Sequence, residues 1–121
     1  MTLFLLAQRL AVWKLPYSAP LPQVAFFAAI RTEDELTLVS EEALAPRGVP
    51  CERGWRTLKV EGPLDFSLTG VLAGLATRLA EAGIPIFVLS TFSTDCVLVK
   101  DERLADAVVA LQAAGHTIKE A

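Results

Sequence analysis

The chain has 121 residues, 53% hydrophobic and 21% charged. That composition excludes a disordered polymer and supports one compact domain or two small modules, and the apolar excess points to a partner or a homo-oligomer. Eleven basic against fourteen acidic residues give a net charge of −3, so the basic footprint of a nucleic-acid binder is absent.

In chain order, the apolar opening Met1–Ala7 is too short for a membrane span and lacks the basic flank of a signal peptide. It reads as part of the fold, and the expected location is the cytoplasm. Leu10–Leu15 suits a strand. Pro16, Pro20 and Pro22 leave no room for a long helix across 16–24. Ile30–Glu42 reads as a hairpin around an acidic turn, Glu33-Asp34-Glu35. The stretch 42–53 has no clear periodicity and reads as a linker.

The second half is clearer. Trp55–Glu61 alternates in the manner of a strand, and Gly62-Pro63 ends it. Asp65 or Ser67 offers an N-cap oxygen. Leu68, Val71, Leu72, Leu75 and Leu79 recur at helical spacing, and Gly83 suits the stop. Ile84–Ser90 is an apolar run expected to be a buried strand. Thr91–Asp95 has the composition of a turn, and Cys96–Lys100 of the returning strand. Asp101 would cap a second helix with Leu104, Ala107, Val108 and Leu111 inward, and Gly115 would end it. Thr117–Lys119 makes a last strand. The order is βαββαβ, an α+β ferredoxin-like module. Residues 30–42 parallel 89–102 in placing a Thr before a polar turn and an apolar strand after it. The chain therefore reads as two modules, 1–53 reduced and 54–121 complete.

Chemistry is sparse. His116 is the single histidine and follows a helix-stop glycine. Cys51 and Cys96 form no zinc motif, and no base can be named beside Cys51. The acidic turn lacks further ligands for a metal. The segment 62–70 lacks the lysine of a phosphate loop. No catalytic residue, metal or cofactor is expected. Two segments are more polar than structure alone demands. The junction with Asp65, Ser67, Thr69 and Gly70 opens a helix whose free N–H groups favour an anion, although ordinary capping explains it too. The hairpin with Thr91, Phe92 and Asp95 ends a buried strand, and plain turn chemistry is its alternative. The two segments are expected to meet where modules pack side by side, with Asp95 pairing a cationic group. Gly70 and Gly74 permit a close approach on one helical face, by the helix's own sheet or by a ligand.

Trp55–Ala73, Ala82–Phe87 and Ser90–Lys100 together resemble a family of small bacterial ACT-domain proteins, which look related to the ACT modules of cytosolic arginine sensors. Cys96 stands where that family often has an aromatic residue. The resemblance implies tandem ACT modules and a non-enzymatic, regulatory role. It implies a small-molecule ligand, an amino acid, bound at a module interface by Asp65, Ser67, Thr69, Gly70, Thr91, Phe92 and Asp95. The alternative is a structural oligomerisation module that binds no ligand.

Overall fold

The computed structural model describes residues 1–64 and 70–121. The chain divides into two compact units, one of residues 1–7 and 56–121, the other of residues 8–55.

The larger unit holds β1 (Thr2–Leu5), the second half of β5 (Cys51–Val60), α1 (Val71–Glu81), β6 (Phe87–Ser90), β7 (Asp95–Lys100), α2 (Leu104–Ala113) and β8 (Thr117–Glu120). From β5 onward the order is βαββαβ, as read from the sequence. The sheet is mixed. β1 runs antiparallel to β5, with Leu3 opposite Val60, and parallel to β8, with Leu3 opposite Ile118. β7 pairs with both β5 and β6. The strand order is therefore β6-β7-β5-β1-β8.

The helices cover this sheet through small, regularly spaced faces. Leu75 and Leu79 of α1 and Ala107 and Leu111 of α2 pack with Leu3, Leu58, Val60, Val97 and Val99 in one buried cluster. Gly83 and Gly115 take φ of +73° and +93°, the left-handed stops expected after each helix.

The starts of the helices differ from expectation. Gly70, at φ +86°, holds the N-cap position of α1, and no side chain caps it. The candidate caps Asp65 and Ser67 lie outside the described residues, as does Leu68 of the predicted stripe. Asp101 opens a 3-10 turn, Asp101–Arg103, and α2 begins only at Leu104.

The smaller unit contains β2 (Leu10–Leu15), β3 (Ala28–Arg31), β4 (Leu36–Glu41) and the first half of β5, in the order β3-β4-β2-β5. Trp13, Leu36 and Leu38 form its buried centre with Ala11. The Trp13 indole N–H donates to Ser40 Oγ at 2.9 Å, which satisfies both buried groups. Between β2 and β3 no helix forms, in keeping with the three prolines.

Two boundaries move. Residues 1–7 were assigned by sequence to the first module, but Thr2–Leu5 is bonded into the sheet of the larger unit. Residues 51–53 were assigned to the linker, but Cys51 lies opposite Trp13 and Glu52 opposite Val12. Long-range pairing fixes both, and local periodicity carries no trace of it. Among the described residues no helix is long and apolar enough to cross a membrane.

Candidate functional site

The site begins where β5 ends. A Cβ on Gly62 would lie 3.0 Å from the Ser93 carbonyl oxygen and 3.1 Å from the Thr94 Cβ. A side chain here would crowd the β6–β7 hairpin, so glycine suits this close approach. The Gly62-Pro63 peptide is cis. The Leu64 N–H then donates to the Ser93 carbonyl at 2.6 Å. Thr94 is 6% exposed, and its hydroxyl donates to the Val60 carbonyl at 2.6 Å. The hairpin is thus fastened to the strand that feeds α1.

The hairpin uses its own polar groups as well. The Thr91 N–H donates to the Thr94 carbonyl at 2.8 Å. The Thr91 hydroxyl accepts from the N–H groups of Ser93 and Thr94, at 3.3 and 3.1 Å. This is a threonine-stabilised turn, so the side chain of Thr91 already has a structural task. Ser90 and Asp95 lie opposite one another, and the Ser90 hydroxyl donates to Asp95 Oδ1 at 2.6 Å. Phe92, at the tip, is 82% exposed.

Between this hairpin and α1 lies a cavity of about 280 Å³. Leu64 and Gly70–Ala73 form one wall, and Ser90–Asp95 the other. Among the described residues, the first helical bond runs from the Gly74 N–H to the Gly70 carbonyl, at 2.9 Å. Val71, Leu72 and Ala73 form the opening turn of α1, at the positive end of the helix dipole. A Cβ on Gly70 or Gly74 would meet nothing within 4 Å, so neither glycine serves close packing on the helix's own sheet.

Gly70, Thr91, Phe92 and Asp95, named from the sequence, all border this cavity. Asp65, Ser67 and Thr69 lie outside the described residues. The sequence reading lets the two segments meet where two modules pack side by side. Within the larger unit, Leu64 and Gly70 line one cavity with the hairpin, because Gly62 and Thr94 bring the chain after β5 against it. Sequence reasoning missed Ser90 as a site residue. Its position opposite Asp95 follows from the hairpin register once the turn is closed at Thr91 and Thr94.

The cavity's lining mixes charge, backbone donors and apolar groups. Asp95 supplies a carboxylate, oriented by Ser90, and the opening turn of α1 supplies N–H donors. Leu64, Val71 and Leu72 supply apolar walls. A zwitterion fits such a pair of poles. Cys51, Cys96 and His116 lie outside the lining of this cavity. Cys96 is buried, and that burial raises its pKa, with Lys59 opposing the shift. His116 follows α2, with Nδ1 3.3 Å from the Met1 amino nitrogen. Burial first, then that amino charge, lowers its pKa. Among the described residues no three His, Cys, Asp or Glu side chains group as metal ligands.

Comparison with known proteins covers the same region. A family model described as ACT domain matches residues 51–113. A protein named cytosolic arginine sensor for mTORC1 subunit 1, from Homo sapiens, is 36% identical over 59 residues, 48% of this chain. The matched stretch spans 18% of that relative's length, and the Bos taurus counterpart gives the same figures. The crystal structure of protein Atu0741 from Agrobacterium tumefaciens is similar over 99% of this chain and 92% of its own, with TM-score 0.91 and 31% identity. E. coli aspartokinase III, solved with aspartate and ADP, shares the fold at TM-score 0.64 and 14% identity, over 92% of this chain and 32% of its own.

Proposed function

This chain belongs to the ACT domain family, and from that premise we propose that it is a non-catalytic regulatory protein that binds an amino acid. The observation that carries this reading is the cavity that sets Asp95 and Ser90 across from the first turn of α1. The ligand's carboxylate lies at the N–H groups of Val71–Ala73, and its cationic group lies at Asp95. Phe92 and Leu72 flank the side chain. Asp65, Ser67 and Thr69, which precede α1 in the sequence, are proposed to complete the carboxylate pole. L-Arginine is the first ligand to try, because a similar protein is named an arginine sensor and Asp95 suits a guanidinium group.

The reading includes two tandem ACT modules, the first reduced, a cytoplasmic location and a second copy of the chain as partner. A membrane or nucleic acid has no part in it. A second reading, an interaction module without ligand, is favoured by exposed Tyr17, Leu21, Phe26, Phe27 and Ile30 in the smaller unit.

A thermal-shift screen over the twenty amino acids separates the two. Ligand at about 100 times Kd stabilises by roughly 2.7 kcal/mol, which raises the midpoint by several degrees. A response to one chemical class of amino acid supports the sensor. A flat response from folded protein at millimolar ligand leaves the interaction module.

A further inference from the structure

Side chains alternate along a strand, so Asp95 shares a face of β7 with Val97 and Val99. Those two valines belong to the buried cluster that holds Leu75 and Leu79 of α1. The Asp95 carboxylate therefore leaves the sheet on the side of the helix, where it borders the cavity. The strand sets this face but not the rotamer, since an aspartate still turns about two side-chain bonds. Ser90 stands directly opposite, and opposite side chains of an antiparallel pair share a face, about 4.5–5.5 Å apart at Cβ. A serine hydroxyl has one proton, and that of Ser90 goes to Asp95 Oδ1 at 2.6 Å, the length of a charge-assisted bond. Other carboxylates of the chain are held differently. Glu42 pairs with Arg9, Asp101 with Arg56 and Asp106 with Arg103. A neutral donor at Asp95 fixes the carboxylate without cancelling its charge.

We propose that Ser90 is a positioning residue, which holds Asp95 in one rotamer before the ligand arrives and acts on affinity through that carboxylate. This rests on the amino-acid reading of the site and names what sets its strength. Ordering a side chain on binding subtracts from affinity, so a carboxylate that is already ordered binds its cation more tightly. An arginine partner would order Asp95 equally well, but it would compete with the ligand's cationic group. Serine orders it and leaves the charge to the ligand.

Two measurements on the full chain test this. Three-bond NMR couplings to Asp95 Cγ, read without ligand, are expected to show one rotamer in the wild type and in Ser90→Thr, and averaging in Ser90→Ala. Calorimetric titration is made with L-arginine, or with whichever of the twenty amino acids raises the wild-type thermal midpoint. Binding is expected to weaken about two- to tenfold in Ser90→Ala. Ser90→Thr keeps the hydroxyl and is expected to bind as the wild type does. Ser90 is exposed, so the ligand-free thermal midpoint should not move in either variant. An averaged Asp95 in the wild type, a single rotamer kept in Ser90→Ala, or equal affinity in wild type and Ser90→Ala overturns the proposal and leaves the amino-acid reading standing. A wild type that binds none of the twenty overturns that reading and the proposal with it.

Discussion

The two units contain the same turn in different surroundings. In the smaller one, the Thr32 hydroxyl accepts from the N–H groups of Asp34 and Glu35, at 3.2 and 3.3 Å. In the larger one, Thr91 does the same for Ser93 and Thr94. The position after each turn then diverges. Leu36 is fully buried in the core of its unit, whereas Asp95 faces a cavity. The residue closing the turn diverges as well. Thr94 is tied to the neighbouring strand, while the Glu35 carboxylate accepts from Thr37 at 2.9 Å. A shared hairpin is therefore not a shared site. In the larger unit a helix begins beside the hairpin and the two line a cavity, whereas the three prolines of the smaller unit prevent an equivalent helix.

The comparison breaks most visibly at the helix. Leu75→Ala removes a side chain that is 1% exposed from beneath α1. It should cost about 2–5 kcal/mol in urea unfolding and abolish the amino-acid response together with stability. Leu38→Ala, buried in the smaller unit, should destabilise by a similar amount, since its side chain is also fully buried. At a temperature where both variants remain folded, Leu38→Ala should keep the response. A variant pair that behaves identically would remove the distinction between the units.

A smaller effect sharpens it. Thr94→Val keeps the shape but leaves the Val60 carbonyl without its 2.6 Å donor. A loss of about 1–3 kcal/mol is expected. The matching change in the other turn, Glu35→Ala, removes a half-buried acceptor of the Thr37 hydroxyl and should cost less, about 0.5–1 kcal/mol. Equal losses at both would mean that the hairpin of the larger unit is not fastened in the way described.

Much of this was legible from residue pattern. The helical faces of Leu75, Leu79, Ala107 and Leu111, the stops at Gly83 and Gly115, and the absence of a helix over 16–24 all follow from local rules. The insertion of Thr2–Leu5 between β5 and β8 was not legible, because a strand's partner is not encoded in its own alternation. The start of β5 at Cys51 was hidden too, since Cys51-Glu52-Arg53-Gly54 does not alternate and its pairing depends on Trp13 and Val12. At the site, composition singled out Thr91, Phe92 and Asp95 but could not divide their tasks. Only the geometry shows Thr91 spent on the turn, Asp95 turned to the cavity, and Gly62 setting the approach between the two walls.

Backbone amide shifts followed by NMR test the central claim most directly, with L-arginine titrated first and the other nineteen amino acids after it. The account predicts that one of them moves the amides of Gly70–Ala73 and Ser90–Asp95, with the smaller unit unchanged, and that Asp95→Ala abolishes the effect. Perturbations confined to residues 8–55, or no amino acid moving those amides at millimolar concentration, would contradict it.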